Sequence, residues 1–263
     1  MEFNADTPTS LLEASVIQWQ WKEDVFPECD QFNGIHEGLV QSWKDIFPKK
    51  GEIYFAGALE NNEDTGTLQY LASTAMEAGF STRVLDMQAL DLQNGRFFDP
   101  AGELVNRCFK LYPWEWMVDE SPDGCLAEME WLEPIWKLVM SNKAILATLY
   151  ELFPDSPYVL PCYLSRPRSG LFCKKPVFSR EGHNVSVVDI RNWEEHVRIA
   201  ETEGDYNTGA YVYQEYVEPT VYSGRYPVIG SWIIGGEAVG IGIRENRMEV
   251  TDNLSEFVPH IIG

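Results

Sequence analysis

Apolar positions alternate between helical and strand spacing along the first part of the chain. A continuous apolar run predicts a buried strand at residues 53–57, and another strand is predicted at residues 81–85; an acidic loop at residues 60–66 and a helix lie between them. Helices are predicted over residues 11–22, 39–46 and 67–78. The order strand, loop, helix, strand is that of a βαβ unit.

Tight turns divide the rest of the chain. Asn94-Gly95 predicts one hairpin, and Gly235-Gly236 predicts another between strands at residues 231–234 and 237–243. Further strands are predicted at residues 104–111, 172–178 and 211–217, and further helices at residues 134–140 and 143–152. The glycines at positions 240 and 242 are spaced like a dinucleotide-binding loop but lie inside a predicted strand, which excludes a Rossmann site. The pattern predicts an α/β protein with mixed or antiparallel sheets.

Length and composition favour a folded globular protein. With 263 residues, 44% hydrophobic and 13% aromatic, the chain suits one large domain or two tightly fused lobes. No apolar run reaches the roughly 18–20 residues that cross a bilayer. The N-terminus lacks a basic region followed by an apolar stretch, so we expect a cytoplasmic protein or one whose start has been removed.

The charge balance and the scattered cysteines and histidines argue against several kinds of partner and of catalytic or metal site. The net charge of −21, from 41 acidic and 20 basic residues, repels nucleic acid and anionic membranes and concentrates cations such as Mg²⁺. Five cysteines without a C-x-x-C pair argue against a disulfide framework and a zinc knuckle, and favour reduced thiols. Four dispersed histidines give no support to a Ser/His/Asp triad. We therefore expect neither a nucleic acid nor a membrane as a partner.

The N-terminal residues carry a candidate metal site. Glu2 and Asn4 flank Phe3, so on a strand their side chains would point to one face. Carboxylate and amide oxygens are ligands that Mg²⁺ accepts. A frayed polar terminus is the alternative, and these residues alone do not exclude it.

Two lysines are candidates for binding phosphate. Lys143 lies in the first turn of a predicted helix, where the helix dipole favours an anion rather than a lysine. Lys175 precedes a loop at residues 179–186 that contains small residues, a glycine and several backbone donors, and such a loop can fold over phosphates. The loop is not a Walker A motif. A solvated lysine and a flexible surface hairpin are the respective alternatives.

An ordered set of motifs resembles a known family. The motifs are Glu-Phe-Asn-Ala-Asp at residues 2–6, Trp-Leu-Glu-Pro-Ile-Trp at 131–136, Ser-Asn-Lys-Ala at 141–144, Lys-Pro at 175–176 with the loop 179–186, and Gly-Ser-Trp at 230–232 through Gly-Ile-Arg at 242–244. Together they resemble the synthetase half of glutathionylspermidine synthases and their stand-alone bacterial relatives. The resemblance implies a circularly permuted ATP-grasp fold, with a substrate-side preATP-grasp lobe at residues 1–118 and nucleotide-binding lobes at residues 119–263.

The resemblance also implies ATP-dependent and Mg²⁺-dependent amide formation through an acyl phosphate. Metal ligands would be Glu2 and Asn4. Nucleotide-binding residues would be Lys143, Lys175, Ser179, Gly182, Asn184, Gln214, Glu215 and Tyr216. Arg244 would face the γ-phosphate and Arg180 the activated carboxylate. Thr7 and Thr9 would lie near a thiol peptide, and Glu63 and Asp64 near an amine or polyamine. Such ligases depend on positioning and on neutralising phosphate charge.

The chain departs from the family pattern at its start. The family carries roughly a hundred residues upstream, a stretch of domain-like size, including an R-x-D strand that completes the metal and acyl-phosphate site. We therefore expect an N-terminally truncated ATP-grasp fold. Three functions stay open at this point: a carboxylate–amine ligase, an impaired ATP-binding remnant, and a structural or partner-binding protein.

Overall fold

The computed structural model describes residues 1–180, 182–199, 202–204, 206, 209–250 and 255–263. Contacts divide the chain into two compact units, each assembled from separate segments. Unit 1 comprises Met1–Phe3, Val139–Val228 and Arg244–Glu256, and unit 2 comprises Asn4–Leu138, Ile229–Ile243 and Phe257–Gly263. The contacts thus divide the chain differently from the lobes at residues 1–118 and 119–263. The functional assignment of those lobes stays a prediction.

In the described residues, helices occur only up to Leu152, and strands occur from Glu52 onwards. A π-helix, Glu13–Ile17, leads into the first α-helix. The α-helices are α1 Gln18–Val25, α2 Ile35–Ile46, α3 Asn62–Glu77, α4 Trp114–Glu120, α5 Pro122–Cys125, α6 Lys137–Ser141 and α7 Ala144–Leu152. The strands are β1 Glu52–Gly57, β2 Ser81–Asp86, β3 Asp91–Gln93, β4 Arg96–Phe98, β5 Leu104–Val105, β6 Arg107–Leu111, β7 Glu130–Leu132, β8 Cys162–Tyr163, β9 Gly170–Pro176, β10 Ser186–Arg191, β11 Glu194–Ile199, β12 Tyr211–Glu215, β13 Tyr226–Ile234, β14 Glu237–Asn246 and β15 Glu256–Val258.

A parallel sheet lies in unit 2. Its strand order is β2-β1-β6-β7, and β1 pairs in parallel with both β2 and β6. This arrangement confirms the predicted βαβ unit, in which α3 connects β1 to β2. Ile53 and Phe55 on β1 are fully buried, as the apolar run predicts. At Gly57 a Cβ atom would lie only 3.0 Å from the Leu111 carbonyl oxygen, so glycine allows β1 and β6 to approach.

Some elements of the structure differ from those that the sequence pattern predicts. Residues 1–10 form no helix or strand, so the strand on which Glu2 and Asn4 would share a face is absent there. Helix α3 begins at Asn62 rather than at residue 67, because the Asn61 side chain caps it by accepting a hydrogen bond from the Glu63 N–H. The acidic stretch expected as a loop is therefore largely the first turns of this helix. The hairpin at Asn94-Gly95 is confirmed by the pairing of β3 with β4.

Unit 1 contains a five-stranded antiparallel sheet. Its strand order is β11-β10-β9-β12-β8. Leu146 and Ala147 of α7 pack with Cys162 and Val212, so this helix covers one face of the sheet. A second apolar cluster is formed by Phe172, Val188, Ile190 and Tyr213.

The strands after residue 225 form a three-stranded sheet of order β13-β14-β15. Gly235 and Gly236 both have positive φ, at 61° and 90°, where β13 turns into β14. Gly240 and Gly242 lie inside β14, which agrees with the exclusion of a dinucleotide loop. In the described part of the chain, no helix is long and apolar enough to span a bilayer.

Candidate functional site

Strand β9 directs two adjacent lysines to opposite faces of its sheet. Lys175 is 9% exposed, and its Nζ donates to Gln214 Oε1 at 3.1 Å and to the Met1 carbonyl oxygen at 3.2 Å. Lys174 instead donates to Glu195 Oε1 at 2.8 Å and lies over the Tyr211 ring. Lys174 is thus neutralised by a carboxylate, whereas these acceptors of Lys175 are uncharged.

Gln214 lies at the centre of the Lys175 face. It is 2% exposed and pairs in register with Cys173 on one neighbouring strand and with Cys162 on the other. Directly paired residues point to the same face, so Gln214 shares that face with Lys175, two residues beyond Cys173. The five cysteines of the chain form no disulfide.

Lys143 is held at the start of α7. Its backbone N–H donates to the Val177 carbonyl oxygen at 2.8 Å, which fixes the helix start beside the end of β9. The Asn142 side chain accepts from the Ala144 N–H at 2.8 Å, as expected of a capping residue. The Lys143 side chain is 5% exposed, and its Nζ donates to the Ser179 carbonyl oxygen at 2.6 Å.

Burial lowers the pKa of Lys143. Desolvation is the largest cause; the charge of Glu2, whose Oε2 lies 3.5 Å from Lys143 Nζ, opposes it, and the positive charges of Lys175 and Arg180 lower the pKa further. Glu2 is partly exposed, with 44% of its side chain accessible. These cations therefore share a buried region in which a bound anion would be stabilised.

The loop at residues 179–186 is folded tightly. His183 donates its N–H to the Arg180 carbonyl oxygen at 2.8 Å, and Gly182 has a positive φ of 72°. Asn184, 3% exposed and with a φ of 55°, accepts on Oδ1 from the Tyr206 N–H at 2.8 Å. The Asn184 side chain thus holds the loop from within. The position of Glu181, which belongs to the family motif, lies outside the described residues.

Three further predicted residues of unit 1 lie on strands β12 and β14 or directly after β12. Glu215 is exposed, and its N–H donates to the Pro161 carbonyl oxygen at 2.7 Å. Tyr216 donates its N–H to the Leu171 carbonyl oxygen at 3.0 Å and its hydroxyl to Glu249. Burial and this carboxylate raise the pKa of Tyr216. Arg244 lies on β14 and is half-buried. The roles of these residues at a nucleotide stay predictions.

The predicted substrate residues belong to unit 2. Thr7 is buried and Thr9 is exposed, and both precede the π-helix. Glu63 and Asp64 occupy the first turn of α3. The N-terminal segment and α3 meet nearby, since a Cβ on Gly66 would lie 3.1 Å from Leu12 Cδ1. Contacts of these residues with a substrate stay predictions.

The two predicted metal ligands fall in different units. Glu2 belongs to unit 1 and Asn4 to unit 2, and both are exposed. Among the described residues, no group of three His, Cys, Asp or Glu side chains could hold a metal ion. A carboxylate with an amide still suits Mg²⁺, which commonly keeps water and phosphate oxygens among its ligands. The magnesium site stays a prediction.

Sequence reasoning missed a buried ion pair in unit 2. Asp6, 1% exposed, has its Oδ2 atom 3.7 Å from the Nζ of Lys110, which is fully buried on β6. The same Oδ2 accepts a hydrogen bond from the Trp114 N–H at 2.9 Å, and Lys110 donates to the Tyr112 carbonyl oxygen at 2.9 Å. A lysine inside an apolar strand was the available signal, because a buried lysine is almost always paired.

The chain is similar to several known proteins. The sequence matches the family described as "Glutathionylspermidine synthase preATP-grasp" over residues 1–263. It is 38% identical to a "Putative acid--amine ligase" of Haemophilus influenzae, over 98% of this chain and 70% of that protein. It is 28% identical to the trypanothione synthetase of Crithidia fasciculata and 26% identical to the bifunctional glutathionylspermidine synthetase/amidase of Escherichia coli.

The lengths of these relatives differ from that of the chain. The chain spans 43% of the Crithidia protein and 46% of the Escherichia protein. A crystal structure titled "Putative gamma-glutamylcysteine synthetase", from Methylobacillus flagellatus KT, has a TM-score of 0.54 and 10% identity, covering 86% of this chain and 72% of that one. At that identity the likeness concerns the fold, a mixed α/β fold of the ATP-grasp type. The match over the full sequence and the relative in Haemophilus place this chain in the glutathionylspermidine synthase preATP-grasp family.

Proposed function

We propose that this chain carries out ATP-dependent and Mg²⁺-dependent ligation of a carboxylic acid to an amine through an acyl phosphate. The observation that carries the proposal is the pair of buried lysines in unit 1. Lys143 and Lys175 are 5% and 9% exposed; Lys175 donates to two uncharged oxygens, and Lys143 donates to the Ser179 carbonyl oxygen and has the partly exposed Glu2 carboxylate at 3.5 Å. Buried charge that is poorly neutralised is costly, and a phosphate chain would compensate it.

The chemistry asks the protein mainly to position and neutralise phosphates. The substrate carboxylate attacks the γ-phosphorus of ATP and releases ADP, and the amine then attacks the acyl carbon and releases phosphate. In our proposal Lys143 and Lys175 bind the phosphates, and Ser179, Gly182 and Asn184 belong to the loop that covers them. Mg²⁺, held by Glu2 and Asn4, would neutralise phosphate charge.

The remaining roles follow the same proposal. Gln214, Glu215 and Tyr216 would contact the adenine, Arg244 the γ-phosphate and Arg180 the activated carboxylate. On the substrate side, Thr7 and Thr9 would contact a thiol peptide, and Glu63 and Asp64 an amine, whose positive charge they would attract. A circularly permuted ATP-grasp arrangement is part of this proposal. The names of the Crithidia and Escherichia relatives support glutathione and a polyamine as the first substrates to try.

The test is release of phosphate from ATP, with glutathione and a panel of amines, in the presence and absence of Mg²⁺. We expect phosphate release that needs the acid, the amine and Mg²⁺ together, with an amide product of the combined mass less water. Lys143→Met and Lys175→Met should each lower the turnover by about a hundredfold, as removing one aligned donor to transition-state charge does. Lys174→Met, on the same strand but paired with Glu195, is the matched control and should retain turnover.

The alternative proposal is an ATP-binding remnant without ligase activity. ATP-induced thermal stabilisation without phosphate release, for every acid and amine pair tried, would select the remnant. An absence of any ATP effect would refute both proposals and favour a structural or partner-binding protein.

A further inference from the structure

The buried pair of Asp6 and Lys110 joins the N-terminal segment to the parallel sheet of unit 2. Lys110 lies on β6 in register with Ala56 of β1, so its side chain projects from a central strand. Asp6 reaches this lysine from residues that form no helix or strand. Segments outside regular structure lack a ladder of backbone hydrogen bonds, so side-chain contacts hold them in place.

Asp6 makes two contacts at once. Its Oδ2 lies 3.7 Å from Lys110 Nζ and accepts a hydrogen bond from the Trp114 N–H, 108 residues further along the chain, at 2.9 Å. That N–H belongs to the first turn of α4, where backbone donors have no partner within the helix. The helix follows Pro113, which provides no side-chain cap, so Asp6 acts as the cap from a distant part of the sequence.

Lys110 also makes several contacts in the buried region. It is fully buried, donates to the Tyr112 carbonyl oxygen at 2.9 Å and lies 4.4 Å from the Trp114 ring centroid. Trp114 itself is fully buried, and its indole N–H donates to the Glu133 carbonyl oxygen at 3.0 Å. The sheet, α4 and the segment around Asp6 therefore share one buried polar centre.

The neighbours of Asp6 are the residues to which the proposed function gives roles. Thr7 follows it and is itself buried, Ala5 precedes it at 5% exposure, and Asn4 is the next residue towards the N-terminus. A backbone fixed at residue 6 restricts where these neighbours can lie, because consecutive Cα atoms are about 3.8 Å apart. We propose that Asp6 and Lys110 are positioning residues of the ligase, which hold Asn4 for Mg²⁺ and Thr7 for the acid substrate; this inference rests on the proposed function.

The experiment compares the double variant Asp6→Ala/Lys110→Met with the wild-type chain. Removing both charges avoids leaving one of them buried and alone, which single variants would do. Arg107→Met is the matched control, because Arg107 lies on the same strand and pairs with Glu130 at 2.7 Å, away from the N-terminal segment. Asp6→Asn/Lys110→Met, which keeps an acceptor for the Trp114 N–H, serves if the first double variant does not fold.

Two readouts separate positioning from stability. Amide exchange should become at least about tenfold faster in peptides covering residues 2–7 and at the Trp114 amide, with little change in the peptides of β9 and β12. The Mg²⁺ concentration that gives half-maximal activity and the KM for the thiol peptide should both rise about tenfold or more. The stabilisation that ATP gives should stay within about twofold of the wild-type value. In Arg107→Met these readouts should stay at their wild-type values.

Two outcomes overturn the inference. Wild-type exchange rates at residues 2–7 in a folded double variant would show that the pair does not hold the segment. Faster exchange with unchanged Mg²⁺ dependence and unchanged KM would leave the pair a purely structural role. A wild-type chain that releases no phosphate contradicts the proposed function instead, and the exchange rates alone then decide whether the pair anchors the segment.

Discussion

Replacing Lys175 by methionine should remove most of the stabilisation that ATP gives to the folded chain. Methionine keeps the length and apolar stem of lysine, so the change removes the charge and the hydrogen bonds to Gln214 Oε1 and the Met1 carbonyl oxygen. Because Lys175 is 9% exposed, its charge is little screened by water. We therefore expect the loss of this charge to destabilise mainly the phosphate-bound state of the chain.

The size of the effect follows from the thermodynamic linkage between ATP binding and unfolding. ATP at a hundred times its Kd stabilises the native state by about 2.7 kcal/mol. For a chain of this length that corresponds to a rise in Tm of roughly 5–11 °C. Losing one charge-assisted hydrogen bond costs about 1.5–3 kcal/mol, which weakens Kd by about 10- to 150-fold. At the same ATP concentration, only about 0.3–1.4 kcal/mol of stabilisation would remain.

The assay is thermal unfolding over a series of ATP concentrations, with and without Mg²⁺. The matched control is Lys174→Met, since Lys174 lies on the opposite face of the strand and pairs with Glu195. The ATP-induced rise in Tm should fall to about half or less of the wild-type rise in Lys175→Met and stay unchanged in Lys174→Met. An ATP affinity of Lys175→Met within about twofold of wild type, a difference below 0.5 kcal/mol, would refute the assignment of Lys175 to the phosphates.

Three further predictions concern the fold of unit 2. Lys110→Met alone should lower the free energy of unfolding by about 3–5 kcal/mol in urea titrations. The double variant Asp6→Asn/Lys110→Met should recover part of this loss. Two additive single effects would show that the residues are not coupled. Gly57→Ala should cost about 1–3 kcal/mol, because a Cβ there meets the Leu111 carbonyl oxygen at 3.0 Å, whereas Gly209→Ala, with open space around it, should cost little. Burial lowers the pKa of His260, so its contribution to stability is complete above its unfolded pKa of about 6.5 and is lost as the pH falls through the lower folded pKa. Unfolding measured from pH 7 to pH 5 should therefore show a steeper loss of stability in the wild type than in His260→Gln.

The local elements were predictable where the chain itself contains their cause. The apolar run ending at Gly57 and the helix after it gave the parallel pairing of β1 with β2, since a crossover helix between buried strands leads to that arrangement. Asn94-Gly95 forms the turn between β3 and β4, as the preference of this dipeptide for type I′ turns predicts. The start of α3 was missed because Asn61 caps the helix earlier than its apolar residues begin.

The candidate site was predictable in part for the same reason. The start of a helix placed Lys143, and the alternation of a strand separated Lys175 from Lys174, both of which are local properties. The alternation of Glu2, Phe3 and Asn4 does not form a strand, because an alternation of polar and apolar residues forms a strand only when another strand pairs with it.

The sequence by itself determined the alternation of helices and strands, the acidic surface and the presence of lysines where phosphates could bind. Only the tertiary structure decided which partners those charges have. Lys175 meets Gln214, Lys143 meets the Ser179 carbonyl oxygen, and Lys110 meets Asp6 from more than a hundred residues away. The physical reason is that desolvation and pairing depend on distance in space, which local periodicity does not encode. Asp6, two residues after Asn4, therefore acquires its partner Lys110 only in the folded chain.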